Sequence, residues 1–350
     1  MARPKVFVPE QIMPSGLEML RAQCDCIVPW EDSGESLEAL DSPSMKEHLY
    51  ESEAVVIRIF SVTAEDLEKA TRLKVIGKHG VGVDSIDCEA ATARGIPVAY
   101  TPLAIGNGVA EHVVALMFAM ARNIVPADAS VRDGSFARGK LRGVELSEKT
   151  LGVVGMGRIG QRIVQKASLG LDMKVHAFDP ILDRSSYDGP AVLEDSVEDV
   201  MRVADYLTLH VPLTPETHHL IDEARLQLMK PSCRLINTSR GAVVDEAALA
   251  QALHDGRIAG AALDVFDSEP LPVDHPLCHA PNTVLTPHIA SSTTESLDLM
   301  SRQVAEGILA GLAGRRPEHV FNSEVYGLSL IHISEPTRRT PISYAVFCLK

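Results

Sequence analysis

The stretch LGVVGMGRIG, residues 151–160, decides the fold. An apolar run, LGVV, enters three glycines spaced as G-x-G-x-x-G, and a helical pattern, QRIVQKA, follows. Such a triplet arises by chance in many chains; between a strand and a helix it reads as a dinucleotide-binding turn. Gly155 takes the tight turn. Gly157 lets backbone N–H groups, including those of Arg158 and Ile159 at the helix start, approach a pyrophosphate. Gly160 lets helix and strand pack closely, and the helix N-terminus faces the anion. Asp179 closes the next strand-like run, KVHAFDP, nineteen positions after Gly160. A carboxylate there accepts hydrogen bonds from the adenosine ribose and repels a 2′-phosphate, so NAD is expected rather than NADP. Arg184 follows too late to reverse that preference.

Outward from this turn the chain keeps alternating strand and helix. Downstream, KVHAFDP, YLTLHVP, CRLINTS, AGAALDVF and TVLTPHI join LGVVGM as six strand candidates. Upstream, KVFVP, CDCIVP, AVVIRI, KVIGKHG and IPVAY are bounded by Gly, Pro or polar residues. SGLEMLRA, TAEDLEKA and CEAATARG lie between them as helices, the second with Thr63 as its cap. A long helix is expected from about Asn107 to Arg122, and a last one over TESLDLMSRQVAEGILAGLAG that returns to the first lobe. The expected class is α/β with two Rossmann-like lobes. Residues 1–101 and 294–327 form a discontinuous, flavodoxin-like substrate lobe, and 102–293 an inserted doubly wound cofactor lobe.

At 350 residues the chain suits two such domains. Its net charge of −14 is scattered rather than blocked, which argues against nucleic acid or an anionic membrane as partner. No apolar run reaches spanning length, and the start, MARPKVFVPE, has no signal-peptide pattern. Cys24, Cys26, Cys88, Cys233, Cys278 and Cys348 show neither metal-ligand nor disulfide spacing, which fits a reducing cytoplasm. Residues 328–350, LSLIHISEPTRRTPISYAVFCLK, resemble the in-frame translation of a sequencing-library adapter. They are set aside as a non-native tail, with the natural C-terminus expected to be missing.

Three further residues point to chemistry. Arg240, in INTSRGAVVDE, offers a planar fork that matches a carboxylate and can polarise a neighbouring carbonyl. His288, in TPHIASS, titrates in the range that general acid–base work needs. Glu269, in DVFDSEP, is expected to hold one ring nitrogen and favour the imidazolium. Each alone reads as structural. Jointly, downstream of a dinucleotide turn, they suggest hydride transfer to and from a small 2-oxo/2-hydroxy acid.

The motifs LGVVGMGRIG, HVPLTPET, LINTSRGAVVDEAAL, ALDVFDSEP and TPHIA resemble the D-isomer-specific 2-hydroxyacid dehydrogenase family, in its short phosphoglycerate-dehydrogenase-like branch. The resemblance implies the catalytic order Arg240, Glu269, His288. It implies that Asp264 meets the nicotinamide carboxamide, although a turn cap would explain that residue as well. Thr238, Val211 and Ser291 would line the cofactor through backbone atoms, and Val81 would lie near the nicotinamide. In the first lobe, Gly80 and Gly82 would bring amides toward the substrate carboxylate and Arg58 would meet a distal anionic group. Ile59 stands where phosphoglycerate relatives commonly carry serine or threonine, and Ile105 where many carry asparagine. Both departures set the phosphorylated substrate against a glyoxylate or hydroxypyruvate type. A homodimer through the cofactor lobe is also implied. Two rivals stand beside this reading: formate dehydrogenase, disfavoured because those relatives carry glutamine at the position of Glu269, and an NAD-sensing corepressor-like binding protein on the same fold.

Overall fold

Apart from one loop-linked edge strand, each short apolar run is followed by a helix that carries the chain back over one sheet face, and the strands of both sheets pair in parallel. The computed structural model describes residues 2–33, 40 and 42–328. The adapter-like tail from residue 329 onward, with Cys348, lies outside the described residues. The chain divides into two compact units, residues 1–101 with the chain from Met300 onward, and Pro102–Leu299. That division falls inside the helix Thr294–Leu312 rather than ahead of it.

In the first unit, β1 (Lys5–Phe7), β2 (Asp25–Ile27), β3 (Ala54–Ile57), β4 (Val75–Lys78) and β5 (Val98–Ala99) form one sheet. Its order is β2-β1-β3-β4-β5, the flavodoxin-like winding, with the reversal of direction between β1 and β3. The pleat divides the strand residues between two cores. Phe7, Val55, Ile57, Ile76 and Val98 face one side; Val6, Val8, Ala54, Val56 and Val75 face the other, where Val304, Ala305 and Ile308 of the helix Thr294–Leu312 join them. The helix Ala64–Lys69 opens on a capping box: Thr63 Oγ1 accepts the Asp66 N–H, and Asp66 accepts the Thr63 N–H. A helix at Pro43–Glu51 has no counterpart in the sequence pattern, because Leu49 is its single buried residue.

In the second unit, β6 (Thr150–Val154), β7 (Lys174–Phe178), β8 (Val192–Leu193), β9 (Tyr206–Leu209), β10 (Arg234–Asn237), β11 (Gly260–Leu263) and β12 (Thr283–Leu285) form the other sheet. The order is β12-β11-β10-β9-β6-β7-β8, reversing between β6 and β9. Six strands are legible in the sequence; the seventh, β8, is a two-residue edge strand beside β7, too short for any periodicity to show. The helix Gly106–Ala121 buries Val109, Val113, Leu116, Met117 and Met120 against one face of this sheet. After Asn123 the chain turns into a further helix, Ile124–Arg132. No single helix among the described residues is long and apolar enough to cross a membrane.

Candidate active site

The glycine turn lies where the second sheet reverses. β6 delivers the chain to Gly155, whose φ of +96° suits glycine and whose N–H bonds the Phe178 carbonyl at 2.9 Å. A Cβ on Gly155 would stand 2.4 Å from the His210 carbonyl oxygen at the end of β9, and one on Gly160 2.1 Å from the Gly155 oxygen. Gly157 differs: a Cβ there would meet nothing within 4 Å. Packing therefore does not explain Gly157, whereas an incoming phosphate would. The helix Arg158–Leu171 begins at this point with no side-chain cap, leaving its first amides, those of Arg158 and Ile159 included, available to an anion.

Asp179 is tied to the same turn, accepting the Met156 N–H at 2.7 Å and the Ile181 N–H at 2.8 Å, and retains lone pairs for a ribose. Arg184 is held by Asp195 and the Leu193 carbonyl, both at 2.5 Å. The cation that could have welcomed a 2′-phosphate is thus engaged elsewhere. Val211 lies against Gly155, 3.2 Å from where its Cβ would be. The hydroxyl of Thr238 is buried without a hydrogen-bond partner in the protein. Such an orphan costs about 1–3 kcal/mol unless a bound group satisfies it. Ser291 lies half-buried just beyond the His288 turn. These features fit a dinucleotide. His210 was not evident in the sequence; desolvation pushes its imidazole down to about 3, so it is neutral, with Nε2 on Thr208 Oγ1 at 2.8 Å.

Three loops at the ends of β10, β11 and β12 bring the chemical trio together. Buried Asn237 shapes the first: its amide donates to the Arg240 carbonyl at 2.7 Å, and its oxygen accepts from the Ser239 N–H and hydroxyl. The next residue is forced to be small. A Cβ on Gly241 would fall 1.9 Å from the Phe266 carbonyl carbon, so the Arg240 loop lies directly against the backbone that leads to Glu269. Glu269 accepts the Phe266 N–H at 3.0 Å through Oε1, and its Oε2 faces His288 Nδ1 at 2.8 Å.

The Glu269 bond lifts the pKa of His288, against opposition from burial and from the nearby charge of Arg240. Burial pushes Glu269 the other way, but its bonds to His288 and Phe266 hold the carboxyl below its usual range. An ionised carboxylate can only accept, so Nδ1 carries the hydrogen and Nε2 is left for a reacting oxygen. His288 itself has φ +53°, unusual for a residue with a side chain.

Asp264 is fully buried at the end of β11. Expected beside the nicotinamide, it is engaged by protein donors at both oxygens: the Thr286 hydroxyl at 2.6 Å, the Ile289 N–H at 2.9 Å and the Ala290 N–H at 2.8 Å. Burial alone would raise its pKa; His112, Thr286 and these amides outweigh that and hold it low. These bonds make it the cap of the turn that carries His288.

Arg58, Val81 and Gly82 belong to the other unit. The Arg58, Ile59 and Phe60 amides all donate to buried Glu10, at 2.7, 2.8 and 3.0 Å. Lys78, buried at the end of β4, donates to the Arg58 carbonyl and to Ser85 Oγ. One expectation fails here. The Gly80 N–H is taken by Thr101 Oγ1 at 3.0 Å and so does not serve a substrate carboxylate. The amides of Val81 and Gly82 have no acceptor among the described residues. Glu10 and Lys78 escaped sequence reading; the one available hint was an acid directly after the first strand.

Residues 114–290 match the family described as D-isomer specific 2-hydroxyacid dehydrogenase, NAD binding domain. The chain belongs to the D-isomer specific 2-hydroxyacid dehydrogenase family. It is an NAD-dependent oxidoreductase acting on the CH–OH group of a 2-hydroxy acid. It is 41% identical over 338 residues to a glyoxylate reductase of Thermofilum pendens, covering 93% of this chain and 96% of that one. It is 42% identical over 302 residues to a D-3-phosphoglycerate dehydrogenase of Methanocaldococcus jannaschii, covering 85% of this chain and 57% of that longer protein. A D-lactate dehydrogenase from Aquifex aeolicus, solved with NAD and lactic acid, superposes with a TM-score of 0.77 at 29% identity, covering 89% of this dehydrogenase and 96% of that structure.

Proposed function

We propose that this dehydrogenase reduces a small, unphosphorylated 2-oxo acid of the glyoxylate or hydroxypyruvate type, with Arg240, Glu269 and His288 as its chemical residues. The 2.8 Å contact between Glu269 and His288 carries the reading, because it fixes both the tautomer and the proton on the ring. Bound NADH supplies the hydride for the carbonyl carbon. Arg240 pairs with the substrate carboxylate and polarises the carbonyl beside it. The developing alkoxide takes its proton from His288 Nε2, and the imidazolium is stabilised until then by Glu269. In the oxidative direction the neutral ring removes the hydroxyl proton. Val81 and Gly82 offer two free adjacent amides suited to a carboxylate.

Two observations favour the unphosphorylated substrate. Ile59 is 55% exposed beside Arg58, so an apolar side chain stands where a hydroxyl would help a phosphate. Ile105, directly before the helix Gly106–Ala121, likewise stands where many phosphoglycerate relatives carry asparagine. Initial rates of NADH oxidation with glyoxylate, hydroxypyruvate, phosphohydroxypyruvate and pyruvate test this, on a chain ending near Gly327. The highest kcat/KM is expected for one of the first two. A preference for phosphohydroxypyruvate would overturn the substrate class. No turnover with any of them would favour an NAD-sensing binding protein.

We further infer a homodimer working in the cytoplasm. Phe118, Ile124, Val125, Val131 and Phe136 are exposed together along the helices Gly106–Ala121 and Ile124–Arg132 and the turn after them, a patch a second copy would cover. The cysteines among the described residues are free, as a reducing compartment would keep them. Light scattering on an Ile124→Asp variant should report a monomer where the parent is a dimer.

A further inference from the structure

We propose that His112, on the helix Gly106–Ala121, is a positioning residue that fixes the turn from which His288 projects. The inference rests on the reading of His288 as the proton donor and goes beyond it, to a residue that touches neither substrate nor cofactor in that reading.

The turn needs restraint. A left-handed conformation at a residue with a side chain is unfavourable and persists where neighbouring contacts over-determine it. At His288, φ is +53°. The contacts that bracket it run to Asp264: the Thr286 hydroxyl two residues before, and the Ile289 and Ala290 amides directly after. Thr286 is the hinge of this arrangement: its N–H donates to the Leu263 carbonyl at 2.9 Å, and its side chain supplies the bond that ties the entry of the turn to Asp264.

His112 completes the restraint. Its Nε2 lies 3.2 Å from Thr286 Oγ1 and 3.6 Å from Asp264 Oδ1. The longer contact exceeds hydrogen-bond range, so the bond is to the hydroxyl and the carboxylate contributes electrostatically. The direction of that bond follows from counting protons. Thr286 has one, and at 2.6 Å it goes to an ionised acceptor-only carboxylate. The hydroxyl oxygen must therefore accept from His112, which places a hydrogen on Nε2. The result is a directed chain, from His112 Nε2–H to Thr286 O–H to Asp264, anchored on a helix whose Val109, Val113 and Leu116 are packed in the core. Losing its first donor leaves the Thr286 lone pair unsatisfied in a half-buried place and frees the turn to relax away from Glu269.

The test separates positioning from mere structure. In His112→Leu, the titration midpoint of His288, followed by NMR of its ring Cε1–H without substrate, should fall by about half a unit as the Glu269 contact loosens. Glu269, Asp264 and Arg240 are the charged groups that act on that ring, and none is altered. In the same variant, kcat should fall roughly tenfold, below the hundredfold that an ångström of misplacement can cost, with NADH affinity within about twofold. His112→Gln should restore both, because its side-chain amide can donate to the same hydroxyl. Thr286→Val should reproduce the leucine variant, and the double variant should be no worse than the weaker single.

An unchanged His288 midpoint in His112→Leu, a glutamine variant as impaired as leucine, or additive losses would overturn the proposal. Should the leucine variant not fold, Thr286→Val decides: an unchanged midpoint there overturns it and a lowered one supports it. A protein that shows the NMR shift but reduces no 2-oxo acid would sink the functional reading while leaving this one standing.

Discussion

Glu10 and Asp264 are the same device used in two units. Each is a buried carboxylate just past the end of a parallel strand, β1 or β11, and each collects donors from the loop leaving the neighbouring strand, β3 or β12. Glu10 takes three consecutive amides, from Arg58 to Phe60, and so holds a continuous run of backbone. Asp264 skips two residues: it secures Thr286 on one side and Ile289 and Ala290 on the other, leaving Pro287 and His288 between. A residue that recognises an anion needs to be in the right place. A residue that transfers a proton also needs its ring turned correctly, and bracketing it from both sides accomplishes that.

The comparison breaks first at His288. His288→Ala should lower turnover by about 10²–10⁴ while NADH binding, followed by fluorescence, stays near the parent value. A lost NADH affinity would show that the bracketed residue serves binding. Next comes the clamp. Asp264→Asn turns one amide donor against an N–H and removes the charge from the remaining bonds, at a cost of about 1–3 kcal/mol in stability. A fall of roughly 10² in kcat is expected with it, from misplacing the ring. Thermal unfolding and steady-state rates measure both; a lowered melting point with intact kcat would mean that the clamp supports the fold alone.

Glu269→Gln should act through pH. With Glu269 present, the pKa of His288 is raised, so the protonated ring persists to higher pH. Without it the pKa falls. Reduction needs the proton, so its alkaline limb should move to lower pH; oxidation needs the neutral ring, so its acid limb should move the same way. Opposite movements in the two directions would contradict the assignment of His288 as the shared acid and base.

The readable parts of this molecule are those with local signatures. Gly155, Gly157 and Gly160 sit in one short run whose spacing is set by a turn and a helix start, and both sheets follow from apolar runs punctuated by Gly and Pro. Arg240, Glu269 and His288 carry local cues as well, each beside a glycine or proline at a strand end. What the sequence hides is contact across distance. His112 meets Thr286 from 174 positions away, and Glu10 meets Phe60 from 50. Nothing in their neighbours distinguishes either from a surface polar residue. Gly80 illustrates the converse error. A glycine-rich loop advertises free amides, but which are free depends on Thr101, a partner supplied by another strand end. The two-residue β8 has no period to read, and Asp264 reads in the sequence equally as a cap or a ligand contact because both require the same side chain.

The smallest effect expected is the most discriminating. Glu10→Gln keeps the shape and one acceptor oxygen but replaces the other with a donor, so one of three charge-assisted bonds is lost and the rest weaken. Because Arg58 lies on the loop they hold, KM for a 2-oxo acid bearing a distal hydroxyl, such as hydroxypyruvate, should rise about fivefold, with kcat within about twofold. Glyoxylate has no distal group and should be nearly indifferent. If kcat falls equally for both substrates, Glu10 bears on the chemical step just as Asp264 does, and the division between a clamp for place and a clamp for orientation disappears.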